Sequence, residues 1–169
     1  RNANAALSAA TLITTTKLKN FDGLSRKKVQ DYAIWHIRSI ACQHQSTSLG
    51  GWGETWQSTL WAATAGQAGW LLWDRLSEAE RGYVAAMVEG EANAAARRGP
   101  RYFRDRAGTE ISPGNSKADE VSWDLLAPTL ALAMMPKHKN AKIWKESAIA
   151  LSLAAFSRPG DLTKKRSIN

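Results

Sequence analysis

Cysteine is nearly absent from this chain. Its single thiol, Cys42, excludes an internal disulfide framework and a cysteine-built zinc cage, and it leaves the redox compartment open. The three histidines, His36, His44 and His138, form no HExxH pattern, so no metal site is expected. Gly50, Gly51 and Gly53 are not followed by the lysine of a phosphate-cradling loop, and no GxSxG element marks a nucleophile. No motif asks for a cofactor, and no segment reads as a credible strand. The chain begins at Arg1 with neither a methionine nor an apolar leader, which leads to the expectation of a processed or excised segment.

Tryptophan, by contrast, is abundant. Five of the eight lie in WGETWQSTLWAATAGQAGWLLWDRL, from Trp52 to Leu76, which carries no charge between Glu54 and Asp74. At helical pitch Trp52, Trp56 and Trp70 fall on one side and Trp61 and Leu72 opposite, so no face is left for water and the segment is expected to be a central helix wrapped by others. Nineteen uncharged residues in a row also meet the length of a membrane span. Gln57, Ser58, Thr59, Thr64 and Gln67 within the run, and tryptophans spread along it, argue against one. Trp61, Trp70, Trp73, Trp123 and Trp144 are expected in the core, each burying about 150–250 Å². Trp52 and Trp56, beside a Gly-rich loop, could instead present their faces to sugar rings.

Helix signals punctuate the rest of the chain. An Ala-rich first helix over 4–18 precedes a Gly-containing turn at 20–24, and Ser25 caps a second helix reaching Gln45, with an apolar stripe of Val29, Tyr32, Ala33, His36, Ile37 and Ile40. Ser77 and Glu80 form a capping box that opens a fourth helix ending near Arg98. Ser116 with Asp119 opens a fifth, bent by Pro128 and carrying Trp123, Leu126, Leu130 and Met134 on one face, and a sixth runs from Asn140 to Ser157. The reading is a single all-α domain over 1–169, built as antiparallel helical hairpins of about six helices, long enough to bury about 70% of the surface its unfolded chain exposes. Short joins share one rim of such an array. The long ones, 45–51 and 99–116, share the other, where His44, Trp52, Glu54, Trp56, Arg101, Tyr102, Lys117, Asp119 and Glu120 collect.

A net charge of +8 favours acidic partners. Part of the excess clusters from Arg97 to Arg106, around Tyr102 and Phe103, and part in the basic tail 159–169. Glu91 falls among Val84, Met87 and Val88 on the fourth helix's apolar stripe. Loss of solvation there is expected to raise its pKa, which suits a general acid or base, although a buried structural carboxylate would look the same. His36 reads as a core histidine, whereas His44, closer to the loop rim, is better placed for chemistry.

The segments WGETWQSTLWA and GNSKADEVSW, set in successive helical hairpins, resemble inner-helix starts of the (α/α) toroid domains of polysaccharide lyases of the heparinase II/III-like and alginate-lyase-like kinds. The resemblance is architectural and spans most of the chain. It implies that six helices form part of a ring, completed by further helical pairs of the same chain, and that the protein is carbohydrate-active on an acidic polysaccharide or oligosaccharide, in a secreted or periplasmic setting. It also implies β-elimination, with Gln57 or Arg101 neutralising a uronate and His44 or Tyr102 moving the proton, on a substrate held by Trp52, Trp56, Arg101, Lys117 and Glu120. Two alternatives stand beside it. One is a glycoside hydrolase on the same fold, using Glu91 with Glu120. The other is a non-catalytic helical module that binds an anionic polymer or a protein partner through the arginine-rich loop; no base-reading motif points to nucleic acid.

Overall fold

In the computed structural model, which describes residues 2–111 and 116–156, the chain is helical apart from one tight hairpin. The helices are α1 (Asn2–Thr15), α2 (Arg26–Ala41), α3 (Ser58–Leu71), α4 (Glu78–Arg98), α5 (Ala118–Met134) and α6 (Ala141–Ala155). Among the described residues, no helix is long and apolar enough to cross a membrane. The expected basic tail 159–169 lies outside the described residues, as do 112–115 of the long loop.

Local chemistry sets the boundaries. α1 stops at Thr15 because the hydroxyls of Thr14, Thr15 and Thr16 turn back onto the carbonyls of Ala10, Thr11 and Leu12, while the Arg26 guanidinium donates to the carbonyls of Ile13, Thr16 and Leu18 at the helix's open end. Asp22 and Gly23 adopt φ of 48° and 80°, as a type I′ turn requires. The turn pairs β1 (Asn20–Phe21) with β2 (Leu24–Ser25), correcting the expectation of no strand; two residues per strand are too few to show alternation. Ser25 caps α2 by accepting from the Lys28 N–H at 3.2 Å, and the Ser77/Glu80 capping box forms at α4. α5 starts differently from the sequence reading: Lys117 occupies the N-cap without a side-chain bond, and the Ser116 hydroxyl donates to the Ala154 carbonyl, tying α5 to the end of α6.

The helices pack in alternation. α1 meets α3 and α3 meets α5, while α2 meets α4 and α4 meets α6, so odd and even helices form two rows joined by the sequential pairs. α3 touches α1, α2, α4 and α5 and is the central element.

Its facing is the main correction to the sequence reading. The Trp-rich segment is helical only from Ser58 to Leu71, with Trp52 and Trp56 on the preceding loop and Trp73 in a short 3-10 turn. α3 buries Ser58, Thr59, Ala62, Ala63, Ala65, Gly66, Ala68 and Gly69, and it leaves Trp61 and Trp70 46% and 47% exposed. A helix with neighbours on several sides must let their backbones approach, and only small side chains allow that. A Cβ at Gly66 would stand 2.6 Å from Val88 Cγ2 and 2.8 Å from Leu130 Cδ2. Of the tryptophans expected in the core, only Trp144 is fully buried; its Nε1 donates to Asn93 Oδ1 at 2.8 Å and its ring stacks on His138. On α5 the inward stripe is Val121, Asp124, Ala127, Pro128, Leu130 and Ala131, and Trp123 is only half-buried.

These contacts rank two substitutions. Gly66→Ala overpacks the seam and is expected to cost about 1–3 kcal/mol, whereas Trp70→Ala removes a half-exposed ring and should cost only about 1 kcal/mol. Urea unfolding of the two variants checks the order, and a larger loss at Trp70 would contradict the small-residue seam.

Candidate functional site

Glu91 lies on the buried face of α4 with none of its surface exposed. Its Oε1 accepts from His44 Nε2 at 3.2 Å and from the Glu54 backbone N–H at 2.7 Å; its Oε2 accepts from the Ser58 and Thr59 hydroxyls at 2.9 and 3.0 Å. Each oxygen therefore has two donors. Burial, the largest single influence, pushes the carboxyl up, but the hydrogen bonds from His44, Glu54, Ser58 and Thr59 together hold it below its ordinary value. The expected raised pKa is thus corrected: Glu91 is an anion saturated by donors. A general acid needs a proton to give and a path to substrate, and this carboxyl has neither.

His44 is equally buried and is shaped from all sides. The Ser46 backbone N–H donates to His44 Nδ1 at 3.2 Å, so Nδ1 carries a lone pair and Nε2–H is the donor to Glu91. Gly53, at φ 146°, and Gly90 crowd the ring so closely that added Cβ atoms would lie 2.6 Å from its Nε2 and 3.2 Å from its Cε1. Trp52 closes the remaining side edge-on at 4.8 Å. The rim base expected from the sequence is sealed.

A polar chain runs onward from Glu91. Thr59 Oγ1 donates to Glu91 and accepts from Arg98 Nη2 at 3.1 Å; Arg98 Nη2 reaches Asp124 Oδ1 at 2.9 Å. Asp124, 1% exposed, also takes Arg101 through Nε at 2.7 Å and Nη2 at 3.3 Å. Arg101 Nη1 continues to Glu120 Oε2 at 3.1 Å, and Glu120 Oε1 faces Lys117 Nζ at 3.4 Å. Burial alone would lower the Arg101 pKa, but Asp124 and Glu120 raise it further above its ordinary value. The sequence reading missed Thr59, Arg98 and Asp124. Asp124 carried the signal that singled out Glu91, an acid on an apolar stripe, but the stripe on α5 had been placed on the wrong face.

The expected substrate-binding cations are therefore engaged: Arg101 with Asp124 and Glu120, Lys117 with Glu120 and over the Phe103 ring at 5.6 Å. Tyr102 pairs through its backbone with Ser116, and Gln57 sits at the α3 N-cap. Trp56, 60% exposed, meets Trp123 edge-on at 5.8 Å near the Arg97–Glu54 ion pair. No group of His, Cys, Asp or Glu suited to a metal ion occurs among the described residues.

Trp52 leads to the open feature of this end. Its backbone N–H donates to the Gln43 carbonyl at 3.0 Å, and its Nε1 to the Ile40 carbonyl at 2.9 Å, which fixes the indole beside a cleft of about 610 Å³ between the start of α1, the end of α2 and the start of α3. Trp35 and Trp61 form its other aromatic walls, and Asn2, Ser39 and Gln43 its polar edge. The ring centroids of Trp52 and Trp61 are 6.3 Å apart, tilted by 55°. Its volume lies within the roughly 300–1,000 Å³ usual for ligand sites.

Two buried groups give a pH dependence. His36 is packed edge-on against Tyr32 and Trp35 with neither nitrogen hydrogen-bonded, and burial holds its pKa below 6.5. The unfolded chain takes that proton first, so stability declines as pH falls below 6.5 toward the folded value. The contribution of Glu91 is present above 4.5 and is lost as pH falls below that through its depressed folded pKa. Thermal unfolding midpoints should drop in two stages on acidification, with His36→Phe removing the first. Glu91→Gln should remove the second and cost about 1–3 kcal/mol at neutral pH, because its amide nitrogen would face two hydroxyl donors. Midpoints unchanged in shape by either substitution would contradict these assignments. Comparison of the chain with protein-family models, curated proteins and solved structures finds no match.

Proposed function

We propose that this chain is a carbohydrate-binding helical module that receives a saccharide in the Trp35–Trp52–Trp61 cleft. The observation that carries the reading is the cleft itself: three tryptophans, half-buried or about half-exposed, wall a concave space whose polar edge is made of an amide pair and a hydroxyl. Indole faces complement the C–H faces of pyranose rings, and Asn2, Gln43 and Ser39 complement hydroxyls, which both donate and accept. The two-row alternation of helices is what an arc of an (α/α) toroid would contain, and it supports the carbohydrate-active reading in that respect alone.

Binding is favoured over turnover by the same wall. β-Elimination needs a base and a group that neutralises the uronate, and hydrolysis needs a pair of carboxyls. Among the described residues, no ionisable side chain lines the cleft. His44 and Glu91 lie behind Trp52, sealed and hydrogen-bonded to each other. Release of unsaturated products from a uronic-acid polysaccharide by this protein would return the elimination reading.

Trp35→Ala and Trp61→Ala test the module directly, since both rings are about half-exposed and can be removed without opening the core. Each is expected to weaken saccharide binding about tenfold or more, the loss of one aromatic anchor, with little change in the thermal midpoint. Titration of intrinsic tryptophan fluorescence across an oligosaccharide panel measures it, and undiminished binding in both variants would move the site elsewhere.

A further inference from the structure

We propose that the saccharide taken by this cleft is uncharged, although the chain that carries the cleft has a net charge of +8. This rests on the binding reading above and narrows it to one substrate class, against the acidic glycan that the bulk charge suggests.

Three observations converge. The described wall carries only indoles, aliphatic groups, a hydroxyl and carboxamides. A carboxylate or sulfate entering it would shed water against apolar surface without gaining a counter-charge from the described residues, and unpaired burial of an anion is costly. The indole π faces add to this, because their quadrupole presents negative potential to whatever lies over them: it attracts C–H groups and cations and opposes anions.

Four cations of the arginine-rich end that an acidic ligand could use already have carboxylate partners. Arg97 is paired with Glu54, Arg98 with Asp124, Arg101 with Asp124 and Glu120, and Lys117 with Glu120. Drawing both Arg98 and Arg101 away would strand Asp124, which is 1% exposed. In the fold, four cations of the cluster that looks like a cationic mouth in the sequence are paired with three internal carboxylates. The net charge as a whole attracts polyanions through screened, diffuse electrostatics.

The polar edge fits hydroxyls. Ser39 Oγ donates its proton to the Trp35 carbonyl at 2.8 Å, which leaves its lone pairs to accept from a ligand hydroxyl. Asn2 and Gln43 each offer a donor and an acceptor, matching the dual character of a sugar hydroxyl, whereas a carboxylate would use only their donors.

The full chain is titrated with neutral hexasaccharides of glucose, mannose, xylose and N-acetylglucosamine, and with oligogalacturonate, oligoguluronate and a heparin hexasaccharide, at low and high salt. The expected result is that a neutral oligosaccharide binds with an affinity that changes less than about twofold with salt and falls about tenfold or more in Trp61→Ala. Binding of any acidic oligomer should disappear at high salt and be untouched by Trp61→Ala. If Trp61→Ala unfolds, Trp35→Ala carries the same comparison. An acidic oligomer that outcompetes every neutral one and loses its binding in these tryptophan variants overturns the uncharged class while leaving a saccharide site in place. If no probe of either kind is affected by either variant, the binding reading itself falls, and this inference with it.

Discussion

The buried carboxylate of Glu91 is the constraint on which this end of the molecule depends. An anion with no exposed surface persists only if its environment supplies charge or donors, and here four donors from the α2–α3 loop and the first turn of α3 converge on its two oxygens. His44 and Glu54 lie at the two ends of the loop that joins α2 to α3, and Ser58 and Thr59 in the first turn of α3. Losing any one would leave charge unsatisfied in a low-dielectric interior, so their positions are fixed by a penalty as much as by attraction. Thr59 passes the constraint to Arg98, and Asp124 passes it to Arg101 and the start of α5. Buried pairs of this kind are weak as net stabilisers, but they are intolerant of rearrangement, which makes them effective at fixing loop geometry.

That geometry bears on the catalytic roles implied by the toroid resemblance. Chemistry at His44 or Glu91 would require an accessible proton and an approach path, whereas the two residues hold each other and are covered by Trp52 on one side and Gly53 and Gly90 on others. Arg101, suited in isolation to a uronate, already has its guanidinium engaged by two carboxylates. In sequence a basic residue counts as a free charge. In the fold its availability depends on its neighbours, and the arginines nearest the site are spent on internal acids.

Much of the architecture was legible because it rests on short-range rules. Ser25, the Ser77–Glu80 pair and the Gly-containing turn at Asp22–Gly23 act within a few residues of themselves, and the apolar stripe of α4 put Glu91 inward without knowledge of any partner. The facing of α3 was not legible. Its hydrophobic residues surround it, so periodicity held no direction, and the deciding quantity, how closely Val88 and Leu130 approach Gly66, belongs to other helices. Asp124 was hidden by the same kind of error on α5, where Trp123 drew the stripe to the wrong face. The ionisation of Glu91 failed for a third reason: desolvation can be read from one helix, but the donors that outweigh it come from residues more than thirty positions away.

The two halves of the site meet in Trp52. One edge of its ring closes over His44, its backbone pairs with the segment at Gln43–Gln45, and its Nε1 donates to the Ile40 carbonyl, so the indole is held in place before any ligand would bind. Ordering a free side chain on binding costs about 0.5–1.5 kcal/mol. A tryptophan already fixed by a buried network avoids that cost, and the tilt between Trp52 and Trp61 is then a property of the fold that a ligand must match. The buried anion and the open aromatic cleft are therefore one construction: the carboxylate holds the loop through its donors, and the loop presents the ring.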